Sequence, residues 1–180
     1  MAKYVALLRG INVGGNNLIK MPDLKTAFET AGFEEVTTYI QSGNVIFTAP
    51  PSKANELAAQ IEDMLLATFG LPIKVVLRSQ AQMRSIVRKA PAGFGSAPDL
   101  YRYDVVFLKP PLNARTAMRS VSVKPEVDEA HPGTGVLYFS RLNSRATQSR
   151  LNRTASMPAY QNMTLRNWNT TTKLLELMGG

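Results

Sequence analysis

Apolar and polar positions alternate along this chain with two periods, and the switches between them mark its elements. Residues 3–9 (KYVALLR) read as a buried strand. A loop rich in glycine and asparagine, residues 10–20, follows. After Pro22, which a first helical turn tolerates, Leu24, Ala27, Phe28 and Ala31 recur at helical spacing and Gly32 stops them. Residues 36–41 (VTTYIQ) and 45–48 are β-rich, and Ser42-Gly43-Asn44 between them carries hairpin turn chemistry. Pro50-Pro51 breaks the second strand, and Ser52 is placed to cap a helix. Ala54, Leu57, Ala58, Ile61, Leu65 and Thr68 trace the apolar face of that helix, closed by Gly70. Residues 73–77 (IKVVL) are again strand-like. The order is β-α-β-β-α-β.

The second half repeats that order more loosely. Ser79 and Gln82 have capping-box spacing, and Met83, Ile86, Val87 and Ala90 form the next helical stripe. Residues 91–99 (PAGFGSAPD) read as loop and as the best candidate linker. A strand at 101–108, a short helix at 112–119 and an extended stretch at 121–129 follow. A turn at His131–Gly135, a strand at 136–140, a helix at 148–155 and a short strand at 161–165 come next. Trp168, Thr171, Leu174, Leu175 and Met178 make a terminal helix. Residues 43–47 and 135–139 occupy equivalent hairpin positions, and 5–8 and 105–108 equivalent first strands. The fold expected is α+β: two tandem ferredoxin-like units at 1–78 and 79–180, each an antiparallel sheet with helices on one face, plus a C-terminal helix.

Composition narrows the chemistry. The 180 residues include no Cys and one His, which excludes disulfides, thiolate nucleophiles and most zinc sites. No metal and no cofactor are expected. No apolar run approaches the length of a membrane span, and the N-terminus is no secretory signal, so a cytoplasmic protein without a membrane partner is expected. The net charge of +8 is uneven. Residues 1–77 hold six basic and seven acidic side chains, residues 78–180 hold 15 and six. No acid lies between Glu129 and Glu176, where Arg141, Arg145, Arg150, Arg153, Arg166 and Lys173 fall. Such asymmetry points to an anionic partner, a small molecule or nucleic acid, or to a solvated surface.

Three segments carry candidate site residues among their glycines, amides and arginines. In residues 9–17 (RGINVGGNN), Gly10 and Gly15 are spaced as in a phosphate loop, but Asn16-Asn17 replace the Lys and Ser/Thr that contact phosphate and magnesium. An anion nest of backbone N–H groups beside Arg9 is the alternative to a tight crossover. Gln41–Asn44 is a hairpin turn whose amides can line a polar pocket. In residues 165–169 (LRNWN), Asn167 reads as a helix cap, with Arg166 and Asn169 facing a cleft. The candidate ligand-binding set is therefore Arg9, Asn12, Gly14, Gly15, Ser42, Asn44, Arg166 and Asn169. Glu126 and Asp128 alternate as strand residues do, and His131 reads as a turn residue. The aromatics Tyr4, Phe47, Tyr103, Phe107, Tyr138 and Phe139 sit in no RNA-recognition signature.

Tyr4–Gly15 (YVALLRGINVGG), Thr38–Phe47 (TYIQSGNVIF), Val76–Arg78 and Thr164–Leu174 (TLRNWNTTTKL) together resemble domain of unknown function 1697, a family of mostly bacterial proteins. The resemblance runs from near residue 3 to near residue 177 and implies the two-part ferredoxin-like fold. It brings no catalytic residues. Between Tyr138 and Tyr160 the chain departs from the family pattern, with Ser149-Arg150-Leu151 where a Ser-Lys-Leu-like triplet is usual. The expected function is binding of an anionic ligand at a Gly/Arg/Asn-lined site near the interface of the two units. An enzyme acting on a small phosphorylated or carboxylated substrate, or a protein-interaction module, are the alternatives. The oligomeric state is not readable from the sequence.

Overall fold

A computed structural model describes residues 1–180. It is a mixed α+β structure with two four-stranded antiparallel sheets. The chain divides into two compact units, Met1–Arg84 with Leu174–Gly180, and Ser85–Lys173.

The first unit contains β1 (Ala2–Leu8), α1 (Met21–Thr30), β2 (Glu34–Tyr39), β3 (Asn44–Ala49), α2 (Ala54–Phe69) and β4 (Val75–Ser79). Its strands lie in the order β2-β3-β1-β4. Tyr4, Ala6 and Leu8 of β1 pack with Leu24 and Phe28 of α1 and Leu57, Ile61 and Leu65 of α2. Phe47 of β3 is the hub of the aromatic part of this core, with ring centroids 4.7 Å from Phe33, 5.5 Å from Phe28 and 5.7 Å from Tyr4. Val5 and Leu7, on the other face of β1, are also fully buried. That double burial explains the nearly uninterrupted apolar run. Gly70 ends α2 in the left-handed region. Ser52 is not the cap of α2: Lys53 holds that position without a side-chain bond, while Ser52 Oγ donates back to the Pro50 carbonyl at 3.2 Å. The capping box at the next helix, α3 (Gln80–Arg88), is reciprocal. Ser79 N–H donates to Gln82 Oε1 at 2.8 Å, and Gln82 N–H donates to Ser79 Oγ at 3.2 Å.

The second unit contains β5 (Tyr101–Leu108), α4 (Ala114–Ser120), β6 (Asp128–Pro132), β7 (Val136–Leu142), α5 (Leu151–Ala155) and β8 (Met163–Asn167), and the chain ends on α6 (Trp168–Leu177). The strand order is β6-β7-β5-β8. Val106, Leu108, Leu137, Phe139 and Met163 pack with Ala117 of α4 on one face. Hydrogen bonds in the two sheets correspond. Leu8 N–H donates to Gly43 O at 2.9 Å, and Leu108 N–H to Gly135 O at 3.0 Å. Arg9 N–H reaches Lys74 O at 2.9 Å, and Lys109 N–H reaches Asn162 O at 2.8 Å.

Four expectations for this half need correction. Residues 91–99 are not a linker between the units: they lie inside the second, anchored by Phe94, whose ring meets Tyr103 at 4.9 Å, Trp168 at 5.1 Å and Tyr138 at 5.4 Å. His131 lies in β6 rather than in a turn, opposite Tyr138, because β6 is an edge strand and tolerates Pro132. Glu126 is not a strand neighbour of Asp128 but a turn residue at φ 66°. The helix expected at 148–155 begins only at Leu151, preceded by a 3₁₀ segment at 143–148.

Candidate functional site

In the first unit the glycine loop and the hairpin turn form one corner. Asn12 adopts φ 54°. Its Oδ1 accepts from Ile19 N–H at 2.8 Å, while its Nδ2 donates to Ile19 O at 3.0 Å and to Gln41 O at 2.8 Å. Asn17 Nδ2 donates to Gly10 O at 3.0 Å, closing the base of the loop. The backbone N–H groups of Asn12 and Asn16 turn inward, to Asn17 O and Val13 O. Asn44 is fully buried and donates to Tyr39 O at 2.9 Å and Ser42 Oγ at 3.1 Å. The structure thus brings Arg9, Asn12, Ser42 and Asn44 to one corner, with Gly14 and Gly15 at the exposed loop tip. A groove of about 580 Å³ beside it is mostly apolar, lined by Leu18, Met21 and Phe69 with Gln41, and of the expected set only Asn12 reaches it.

In the second unit a pocket of about 280 Å³ opens where β5 begins and β8 ends. Tyr101, Arg102 and Tyr103 enter it from β5, Asn143 from the end of β7, and Asn167-Trp168-Asn169 from the junction of β8 and α6. Gly95 backs the pocket at φ +83°, and a side chain there would collide with the Trp168 indole. Asn167 Oδ1 caps α6 by accepting from Thr170 N–H at 2.8 Å. The Arg102 side chain is half exposed (52%), whereas that of Asp104 is buried (3%). Arg102 Nε donates to the Asp104 carboxylate at 3.1 and 3.4 Å. Arg141 lies directly opposite Arg102 in the β5–β7 register, so two guanidinium-bearing residues share one face.

Of the second-unit candidates, Asn169 lines this pocket. Arg166 is not among its lining residues: it is 7% exposed within β8, and Nη1 donates to Leu165 O at 2.8 Å. Burial pushes its pKa down to about 10. Arg78, at the corresponding place in β4, makes the same bond to Leu77 O at 2.8 Å and is lowered to about 10 by burial too. Each stands at the same register point, opposite Val5 or Val105.

Two other arginines of the basic stretch have local partners. Arg145 holds Gln148 Oε1 at 2.8 Å, and Arg150 Nη1 donates to Val123 O at 3.3 Å. Asp128 is a staple: its Oδ2 accepts from Lys124 N–H at 2.9 Å and Arg150 N–H at 2.8 Å. The residues that sequence reasoning missed are Tyr101, Arg102, Asn143 and Gly95. An Arg flanked by two Tyr at the polar start of a strand was the available signal.

A second depression of about 280 Å³ shares Tyr101 and Tyr103 with this pocket and adds Phe94, Glu129, His131 and Ser140. His131 Nε2 lies 3.4 Å from Glu129 Oε2. No three His, Asp or Glu side chains converge as a metal site. No helix is long and apolar enough to cross a membrane.

No functionally curated protein matches the chain. Among solved structures, the conserved bacterial protein SP0830 from Streptococcus pneumoniae is similar, at 26% identity over 98% of each chain with a TM-score of 0.86. A family described as protein of unknown function (DUF1697) matches residues 1–138. That match takes in both the glycine loop and the hairpin, which the Asn12 side chain joins by donating to the Gln41 carbonyl, and the chain belongs to this family.

Proposed function

We propose that the protein is a cytoplasmic pair of ferredoxin-like units whose second unit binds a phosphate-bearing anion at its Gly/Arg/Asn-lined pocket. One observation carries this reading: a half-exposed guanidinium at a pocket wall, Arg102, is aimed by a buried carboxylate, Asp104. The carboxylate engages Nε, which leaves the terminal amino groups of the fork for a ligand. Arg141, opposite Arg102 in the register and opposite Asp128 on its other side, does not line the pocket. The amides of Asn143 and Asn169 supply polar contacts around the rim.

The first-unit residues enter this reading differently. Asn12, Ser42 and Asn44 spend their side chains on the corner itself, and Gly14 and Gly15 lie at the exposed loop tip.

Calorimetric titration with inorganic pyrophosphate tests the proposal. Arg102→Ala is expected to weaken binding by about tenfold to a hundredfold, the loss of a charge-assisted hydrogen bond. Rising salt is expected to weaken wild-type binding, because the pocket is partly open to solvent. Pyrophosphate affinity unchanged by Arg102→Ala refutes the site.

A further inference from the structure

We infer that the second depression is a separate site, which takes a primary alkylammonium group on a stem of lysine length. It lies on the sheet face opposite Arg102, so the inference stands apart from the anion reading. In the β5–β7–β6 register Arg102, Arg141 and Asp128 form one row, and Tyr103, Ser140 and Glu129 form the next. Successive residues of a strand point to opposite faces, so the two rows lie on opposite sides of the sheet. The depression therefore meets Tyr101, Tyr103, Ser140, Glu129 and His131 on one face, with Phe94 from the 91–99 loop, and no arginine or lysine lines it.

Two acceptors stand side by side there. Ser140 is 8% exposed and lines the depression, and its hydroxyl has no hydrogen-bond partner within the protein. Buried hydroxyls are ordinarily paired, so this one has a place for a donor. Glu129 is directly opposite Ser140 across β6 and β7, with Cα atoms about 4.5–5.5 Å apart. The Glu129 side chain is 72% exposed and has no Lys or Arg partner in a strongly basic unit; only His131 Nε2 lies near, 3.4 Å from Oε2. A neutral imidazole that donates to Oε2 leaves Oε1 and the negative charge. An ammonium carries three donors and one positive charge, so it serves the carboxylate and the Ser140 hydroxyl at once. Tyr103 is one strand spacing beyond Ser140, about 4.8 Å. A four-carbon stem that starts at Ser140 reaches the tyrosines, where Tyr101 keeps an exposed ring. Tyr103 is itself packed by Phe94 at 4.9 Å and closes the back of the wall. A sugar brings donors but no charge to match Glu129. A quaternary ammonium brings charge but no donor, and a phosphate meets the carboxylate with like charge.

The test titrates the isotope-labelled full chain with butylammonium, methylammonium, tetramethylammonium and glucose, and follows the amide resonances by NMR. Butylammonium is expected to bind most tightly of the four and to shift the Glu129 and Ser140 amides. Glu129→Gln is expected to weaken it by about tenfold, the loss of a charge-assisted hydrogen bond, and Ser140→Ala by about threefold to tenfold. Tyr101→Ala is expected to erase the advantage of butylammonium over methylammonium, because only the longer stem reaches that ring. Pyrophosphate binding is expected to be unchanged by Glu129→Gln; its loss together with that of butylammonium overturns the separation of the two sites. Butylammonium that leaves the Glu129 and Ser140 amides unmoved overturns the site. Tetramethylammonium binding as tightly as butylammonium, or glucose more tightly, overturns the choice of a primary ammonium. Nα-acetyl-lysine methylamide separates the sources of this chemistry: tighter binding than butylammonium assigns a lysine side chain of a polypeptide, equal or weaker binding a free amine.

Discussion

Replacing Gly43 by Ala tests why the two motifs that mark this family occur together. Gly43 lies in the left-handed region at φ +84°. A Cβ there would stand 2.6 Å from Ile11 Cδ1, 2.9 Å from Ile11 Cγ1 and 3.0 Å from Leu8 Cβ. Ile11 is 1% exposed and Leu8 is fully buried, so neither can swing away. Two costs add. The left-handed backbone costs a non-glycine residue about 1–2 kcal/mol. Overpacking a closed site costs about 1–3 kcal/mol. The sum, about 2–5 kcal/mol, corresponds to a fall of roughly 4–20 °C in Tm for a chain of this size. Gly10→Ala is the control: its φ is +70° but nothing lies within 4 Å of its Cβ, so only the backbone cost applies. Urea denaturation of the two variants should therefore differ by the overpacking cost alone. Ile11→Val removes the closest clashing atom and alone costs about 0.5–1.5 kcal/mol. Combined with Gly43→Ala it should cost less than the sum of the single changes. Equal destabilisation by Gly43→Ala and Gly10→Ala, or strict additivity with Ile11→Val, refutes the packing account.

Two further outcomes follow from buried groups of the second unit. Tyr138 is 2% exposed, its hydroxyl donates to Ile86 O at 2.6 Å, and burial raises its pKa above the ordinary 10.0. The folded state therefore keeps a proton that the unfolded state releases, and this stabilisation is complete below pH 10 and lost as pH rises through the folded pKa. Tyr138→Phe should cost about 1 kcal/mol at neutral pH and show a shallower loss of stability in alkali, read by urea denaturation at a series of pH values. Asp128→Ala strips the acceptor from the Lys124 and Arg150 N–H groups and should cost about 3–5 kcal/mol, with Asp128→Asn milder because one acceptor oxygen remains.

Strand and helix positions were legible because each element carries its own period. Tyr4, Ala6 and Leu8 meet the stripe Leu24–Phe28 and the stripe Leu57–Leu65 with no help from distant context. Errors arose where a tertiary partner overrides a local signal. Ser52 has the right chemistry for a cap, but its hydroxyl bonds back to the proline that precedes it. The stretch 148–155 has helical composition, yet the Arg150 N–H is captured by Asp128 from another strand, and α5 starts after it. The Pro-Gly signal near His131 belongs to a turn, but an edge strand absorbs the proline first. The site was only half legible for the same reason. Asn169 was readable from its helix-cap context. The pocket also needs Gly95 and Tyr101–Tyr103, which no local pattern ties to it.

The two sheets share a ladder but not a pocket, and the difference localises the chemistry. Val5 corresponds to Val105, Gly43 to Gly135 and Arg78 to Arg166, each in matching hydrogen-bond register. Both buried arginines repeat the same bond to the preceding carbonyl. The two sheets diverge at the open end of that ladder. Where the fourth strand of the first unit runs into Ser79-Gln80-Ala81, that of the second runs into Asn167-Trp168-Asn169. Where β1 starts with Ala2-Lys3, β5 brings Arg102-Tyr103. The aromatic, amide and arginine side chains of the pocket occur only in the second, which is the reason for proposing the anion site there. The charge asymmetry runs the same way: the cationic half is the half that carries the pocket.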